Sequence, residues 1–494
     1  MSPWIIQRML KYSLMNLKKY LCDMTEIAET KEVLSLNVNS PFDGSLIETI
    51  QMQTATNVGT MLEKAAALFK NRDGWKEHHE RIAILKKLAL LVEGKAEDFA
   101  MLIAKEGGKP LIDARIEVTR AIDGIHLATK ELPHIMCGEE IPMGHTAASI
   151  CRKAYTTYEP IGVVVAVSAF NHPLNLIIHQ VVPAIAVGCP IIVKPALTTP
   201  LNCIRFVELV HRSGLPQDWC QVCVCDNDVA EILVTSEKIN FFTFIGSAKV
   251  GWQLKSKLAP GVRCALEHGG AAPVIVDETA DLNKTIPSLL KGGFYHAGQV
   301  CVSVQRVFVQ ESIIDDVAER LSVGASKLKV GDATKEDTEV GPLILPREVD
   351  RVDEWVQEAM SEGAELLTGG KKLSNTTYAP TIILNPPIDA KVSTEEIFGP
   401  VVCVYSYTDR KEAIERANSL NVAFQAAVYT SDLDVANDCI KRLDATAVMV
   451  NDHTAFRVDW MPFAGRRSSG YGIGGIGYTM HDMIQLKMAI INEV

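Results

Sequence analysis

No stretch of this 494-residue sequence stays apolar for the roughly 20 residues that a membrane-crossing helix requires. The longest candidate, Val181–Val193, is broken by Pro183, Gly188 and Pro190, so a soluble protein without a membrane partner is expected. Positive charge is not in excess either. Lys and Arg number 49 against 60 Asp and Glu, which gives a net charge of −11 and a pI near 5.6. A nucleic-acid partner would need a basic face, so none is expected. The twelve cysteines lack the spacing of a disulfide framework and no secretory signal accompanies them. Reduced thiols in a cytoplasmic setting follow. Cys220-Gln221-Val222-Cys223-Val224-Cys225 contains one CxxC, but no second Cys or His pair stands at ligand spacing. A buried strand is expected there, and no metal. Internal repeats and low-complexity segments are absent as well.

The hydrophobic content of 47% and charged content of 22% are those of a packed globular protein, and the length exceeds one core. Two or three domains are expected. Residues 1–23 stand apart. Arg8, Lys11, Lys18 and Lys19 punctuate an amphipathic run that includes Ile5, Ile6, Met9, Leu10, Leu17 and Leu21, with Asp23 the only acid. Two readings are open: a targeting helix, although serines are few and there is one arginine, or an upstream extension with translation starting at Met24.

From Ile161 onward, strand-like and helix-like segments alternate. Gly162–Val167 is a β-branched run, and Leu174–Val187 has helical apolar spacing. Pro190–Val193 is strand-like, and Pro200–Ser213 is helical with Gly214 past its end. Gln221–Val224, Phe241–Ile245 and Ala265–Glu267 continue the strands. A second series runs from Pro273–Val276 through helix Asp281–Ala297, strand Arg306–Gln310 and helix Ile313–Leu328 to strands Val401–Tyr405 and Ala426–Thr430. Strands of this kind separated by helices predict a parallel, doubly wound sheet, with ligands at the carboxyl ends of its strands. Ala154–Pro160 alternates and lies outside the series, as an added strand used in assembly would. Gly470-Tyr471-Gly472-Ile473-Gly474-Gly475 fits GxGxxG, but no strand precedes it and too little chain follows for a βαβ unit. It is not read as a dinucleotide fingerprint.

Two reactive groups carry the chemistry. Glu267, in Ala265-Leu266-Glu267-His268-Gly269-Gly270, precedes Cys301, in Gly298-Gln299-Val300-Cys301, by 34 positions. Small residues crowd both, as where backbone must approach a ligand. A thiolate can attack a carbonyl carbon, and a carboxylate can later activate water against the acyl-thiol.

In this setting the chain resembles the aldehyde dehydrogenase superfamily over roughly residues 35–490. Seven segments carry the resemblance in order: Phe170-Asn171-His172-Pro173-Leu174-Asn175, Ile192-Val193-Lys194-Pro195-Ala196, Phe244-Ile245-Gly246-Ser247 with Gly251, Glu267-His268-Gly269-Gly270, Gly298-Gln299-Val300-Cys301, Glu395-Glu396-Ile397-Phe398-Gly399-Pro400 and Pro462-Phe463-Ala464-Gly465. The resemblance implies an α/β aldehyde dehydrogenase-like fold, with two doubly wound Rossmann-like domains and a small oligomerisation strand element. Residues 24–137 and 161–267 would form the dinucleotide-binding domain, 268–477 the catalytic domain, and 138–160 with 478–494 the oligomerisation element of a homodimer or homotetramer.

It also implies roles. Cys301 is the nucleophile, Glu267 the general base and Asn171 an oxyanion donor. Lys194, Gly246, Ser247, Gly251, Glu396 and Phe398 bind NAD or NADP, with NAD favoured. Gly246 and Gly251 would let backbone approach the pyrophosphate at a helix start. The product would be a free carboxylic acid. A CoA-acylating enzyme and a non-catalytic ligand-binding homologue are the alternatives, and Glu267 and the intact set Cys301, Glu267 and Asn171 argue against them respectively.

Three positions depart from the family pattern. Leu197 stands where an acid often bonds the ribose hydroxyls, which opens the choice toward NADP. Ile245 replaces a common threonine. Within the family, the Phe170–Asn175 and Arg457–Phe463 segments resemble the branch acting on small, often anionic aldehydes such as phosphonoacetaldehyde, sulfolactaldehyde, lactaldehyde and glyceraldehyde 3-phosphate. Arg120, Arg457 and Phe463 would line the substrate site, the arginines binding an anion or serving as ordinary salt-bridge partners. Val300 occupies the position where phosphate-specific relatives tend to carry arginine, which suits a lactaldehyde-like or uncharged substrate.

Overall fold

A computed structural model describes residues 34–493; the N-terminal extension expected at residues 1–23 lies outside the described residues. Two sheets organise the chain. The first has six strands in the order Gly470–Tyr471, Arg263–Glu267, Phe241–Ile245, Val164–Val167, Ile191–Lys194 and Cys220–Val222. All run parallel except Gly470–Tyr471, which pairs antiparallel with Arg263–Glu267. The chain starts at the central strand Val164–Val167, winds outward to one side and then returns to the other. The order therefore reverses beside Val164–Val167, which opens a crevice at the carboxyl ends of the strands.

The second sheet has seven strands, in the order Glu365–Thr368, Thr381–Leu384, Val401–Tyr407, Val304–Gln310, Ala272–Val276, Gln425–Tyr429 and Ala447–Val450. Only its first pair is antiparallel. A third, antiparallel sheet joins Ile484–Asn492 and Glu140–Ile141 to Arg152–Pro160. Each large sheet holds its own apolar core, one around Val164, Ile178 and Ile191 and the other around Val274, Val307 and Val404.

The Val181–Val193 stretch resolves into the end of a helix and a strand. Helix Asn175–Val187 is buried almost throughout, its polar Asn175, His179 and Gln180 included, and Gly188 at φ +92° ends it in the left-handed region. Among the described residues no helix is long and apolar enough to cross a membrane. The predicted helix Asp281–Ala297 stops early, at Phe294. His296 and Ala297 take φ of +48° and +55°, and the chain turns there to carry Cys301 toward the first sheet. Cys220 is buried in the core with Ile191 and Phe241, and Cys223 and Cys225 in the cluster with Ile192 and Phe242, as a strand and the turn after it.

Two buried glutamates place the crossover helices. Glu106 accepts the backbone N–H groups of Leu201 and Asn202, both at 2.9 Å, at the start of helix Leu201–Ser213. Burial pushes its carboxyl up to about 7 despite these bonds. Glu117 accepts from Leu174 and Asn175, both at 3.0 Å, at the start of helix Asn175–Val187, and its other oxygen pairs with the ammonium of Lys109. Both members of the pair are fully shielded from solvent. Glu117→Gln should therefore leave a buried cation without its hydrogen-bonded counter-charge, which costs about 3–5 kcal/mol. We expect a clear fall in the thermal unfolding midpoint, largely recovered when Lys109→Met is added. A Glu117→Gln protein as stable as the parent would sink this account.

Candidate active site

A cleft of about 1300 Å³ opens where the two large sheets face each other. It collects the strand ends that the doubly wound order brings together: Ser168–Asn171 after Val167, Gly246 after Ile245, and Glu267 itself. Cys301 reaches it from the second sheet, three residues before strand Val304–Gln310.

The Cys301 loop is held on three sides. Gln299 donates to the carbonyls of His296 (3.3 Å) and Pro342 (3.2 Å) and accepts from Ile344 (2.9 Å). Thr454 Oγ1 donates to the Val302 carbonyl at 2.6 Å. Asn171 Nδ2 donates to the Gln299 carbonyl at 2.8 Å. Asn171 thus lies against the Cys301 loop with its second amide hydrogen available. Val300 turns into a small apolar cluster with Val302, Phe424 and Phe463. An arginine there would have to displace that packing.

Burial dominates the titration of the groups at the centre of the cleft. Burial, and then the nearby charges of Glu396 and Glu267, push the Cys301 thiol up to about 12, with Arg457 acting the other way. Burial also raises the Glu267 carboxyl, again opposed by Arg457. The glycine run 470–475 explains how Glu267 fits. A Cβ on Gly474 would lie 1.9 Å from Glu267 Oε1, and one on Gly470 would lie 2.6 Å from the Leu266 carbonyl. The run is not a dinucleotide fingerprint; its glycines let the tail pack over Glu267.

The dinucleotide residues divide. Gly246, Ser247, Glu396 and Phe398 line the cleft. Lys194 does not. It ends its strand buried, and its ammonium donates to the Pro195 carbonyl at 3.3 Å, so that Ala196 and Thr198 form the wall. Gly251 is corrected more strongly. A Cβ there would meet the His268 ring at 2.0 Å, so this glycine packs helix Ala248–Lys255 onto His268 and presents no backbone to a ligand. Leu197 leaves its position without an acid.

The remaining pieces form a cradle. Glu396 Oε1 is buried without a hydrogen-bond partner, and a Cβ on Gly269 would lie 1.8 Å from it. Burial raises this carboxyl to about 8. Phe398 meets Phe170 edge to face, with ring centres 5.9 Å apart. An orphaned acceptor beside an aromatic wall, facing Gly246 and Ser247 before a helix start, fits a ribose and its phosphates.

At the other end the two arginines part company. Arg120 is spent on Asp459, Nε to Oδ2 at 3.2 Å and Nη2 to Oδ1 at 2.8 Å. Arg120 still lines the cleft, and its pair with Asp459 is the salt-bridge alternative to an anion site. Asp459 also accepts from Asn175 (3.2 Å) and lies 2.7 Å from His179 Nε2. Burial would raise Asp459, but His179 and Arg120 hold it well below the usual carboxylate range. Arg457 has no such partner among the described residues. Its guanidinium stacks 3.5 Å above the Phe463 ring, its Nε is unpartnered, and burial lowers it to about 10. Asp459, His179 and Gln299 were not singled out from the sequence. Each has a partner more than forty positions away, beyond any local pattern.

Comparisons agree with this geometry. The family model described as "Aldehyde dehydrogenase family" matches residues 28–489. A 3-sulfolactaldehyde dehydrogenase of Priestia aryabhattai is 36% identical over 467 residues, 94% of this chain and 95% of that protein. The crystal structure of aldehyde dehydrogenase 21 from Physcomitrella patens, in complex with the reaction product succinate, superposes with a TM-score of 0.90 at 35% identity and covers 94% of this chain and 96% of that one. A glyceraldehyde-3-phosphate dehydrogenase from Methanocaldococcus jannaschii, complexed with NADP, gives 0.87 at 34% identity over 92% and 99% of the two chains.

Proposed function

Because the chain belongs to the aldehyde dehydrogenase family and is an oxidoreductase acting on aldehydes, we propose that it oxidises a small, anionic aldehyde to the free carboxylic acid with NAD or NADP. The observation that carries this reading is the meeting of Cys301, Glu267 and Asn171 in one cleft. Cys301 Sγ attacks the aldehyde carbon and gives a thiohemiacetal. The negative charge that develops on its oxygen is met by the free amide hydrogen of Asn171 and the backbone N–H of Cys301, donors worth about 3–4 kcal/mol each in comparable sites. A bound nicotinamide supplies the hydride acceptor that turns the thiohemiacetal into a thioester. Glu267 then takes a proton from water, and the hydroxide adds to the thioester carbon and expels the Cys301 thiolate. Gly246, Ser247, Glu396 and Phe398 would hold the dinucleotide, with Lys194 beneath the adenosine side and Gly251 seating the helix.

Residues 24–137 and 161–267 then serve as the dinucleotide-binding domain and 268–477 as the catalytic domain. The third sheet supports a homodimer or homotetramer, because Leu486, Met488 and Ile490 alternate along Ile484–Asn492 as an exposed apolar stripe. The free state of the cysteines among the described residues supports a cytoplasmic setting.

The anionic class rests on Arg457, a desolvated guanidinium with no counter-ion among the described residues. A panel of carboxylate-bearing and neutral aldehydes of equal length, assayed with NAD and with NADP and without CoA, tests the whole reading. We expect acid production without CoA. We also expect Arg457→Ala to raise KM roughly 10- to 100-fold more for the anionic than for the neutral member, the span of a charge-assisted bond. Equal effects on both would refute the anion site.

A further inference from the structure

Among the described residues, two side-chain contacts orient Arg457. One face of its guanidinium lies on Phe463, and its Nη2 lies 3.4 Å from His179 Nδ1. His179 and Asn175 stand four residues apart on one face of helix Asn175–Val187, and both reach Asp459. The proton positions follow from the partners. A guanidinium only donates and an ionised carboxylate only accepts. His179 must therefore carry its hydrogen on Nε2, toward Asp459, and offer the Nδ1 lone pair to Arg457. The charged groups around it are Asp459 and Arg457 on the loop before Phe463 and Arg120 on helix Leu111–Ile135. Burial first, and the two arginines with it, hold the ring below the ordinary histidine range, against the pull of Asp459. The ring is neutral at physiological pH, so it adds no charge to the cleft and acts only through this relay.

We propose that His179 is a positioning residue for substrate recognition: locked by Asp459 in one tautomer, it aims the Arg457 guanidinium into the cleft and so sets the preference for anionic aldehydes. This rests on the reading of Arg457 as the anion site. It also gives Asp459 two jobs. It pairs with Arg120 at the wall of the cleft, and it fixes the ring that holds Arg457.

The two amide variants of His179 separate the relay from mere packing. In His179→Gln the side-chain amide can keep the Nε2-like bond to Asp459 but offers nothing at the Nδ1 position. In His179→Asn the amide oxygen can take the place of Nδ1 and accept from Arg457. With 4-oxobutanoate and butanal as probes, we expect His179→Gln to raise KM about tenfold more for 4-oxobutanoate than for butanal, the loss of one charge-assisted bond. The ratio of kcat values should hold, and His179→Asn should stay within about threefold of the parent, because it keeps the acceptor. Equal changes in both KM values, no change in either, or the same selective loss in His179→Asn would overturn the proposal. A parent enzyme that does not distinguish the two aldehydes would overturn the anion site and this proposal with it. A parent that does, beside a His179→Gln enzyme like the parent, overturns only the role of His179.

Discussion

Cys301→Ala is expected to lower kcat for aldehyde oxidation by roughly 10⁴-fold or more while leaving dinucleotide affinity within about threefold, the scale on which loss of a covalent nucleophile acts. The separation of the two effects follows from how the loop is built. Gln299, Thr454 and Asn171 hold it through backbone carbonyls and amides, so removal of Sγ leaves those bonds in place. Equilibrium dialysis or fluorescence titration with NAD and NADP gives the binding half of the result, and nicotinamide absorbance gives the other. Oxidation that survives in Cys301→Ala would overturn the mechanism.

The same thiol carries a pH signature. With Cys301 pushed up to about 12, almost none of it is thiolate at neutral pH, and the thiolate is the reactive form. Alkylation of the free enzyme by iodoacetamide should therefore keep accelerating through the alkaline range, close to tenfold per pH unit, without a plateau near the ordinary cysteine value. A plateau near pH 8 would show a thiol not raised by its surroundings.

How far the sequence reaches depends on where each partner sits. The strand ends that build the cleft were legible, because Gly162–Val167, Phe241–Ile245 and Ala265–Glu267 each show a local β-branched or apolar run followed by small residues. Glu267 and Cys301 could be paired because both sit in short runs of small residues. Helix Asp281–Ala297 was overdrawn. Nothing local to His296 and Ala297 announces positive φ, which is imposed by the loop that presents Cys301. Arg120 shows the limit most clearly. From the sequence it is an anion binder or an ordinary salt-bridge partner, and only the fold brings Asp459, 339 positions away, against it. Gly251 and Gly474 were visible as glycines but not as the places where His268 and Glu267 need room. Propensity and spacing report on a residue's neighbours in sequence, whereas the different surroundings of Arg120 and Arg457 are decided by a carboxylate from a distant loop.

Glu267→Gln is expected to slow turnover by about 10² to 10⁴-fold, the usual worth of a positioned base, and yet to preserve one rapid equivalent of nicotinamide reduction per active site. The first part holds because glutamine cannot take a proton from the water that must attack the thioester. The second holds because Glu267 is one of the charges that raise the Cys301 thiol. Its replacement by a neutral amide removes that opposition, so thiolate formation becomes easier and the acyl-enzyme accumulates. Rapid mixing should show a burst followed by a slow steady rate, and hydroxylamine, which cleaves thioesters without a base, should restore much of the lost rate. The pH profile supplies an independent check. Burial raises the Glu267 carboxyl, and a base must be ionised to act, so the parent's kcat should fall with decreasing pH on a limb that lies above the ordinary carboxylate range. In Glu267→Gln that limb should vanish. A slow enzyme without a burst would instead make Glu267 the group that deprotonates Cys301. Unchanged turnover, or a rate restored only by CoA, would mean that water is not the acyl acceptor that Glu267 serves.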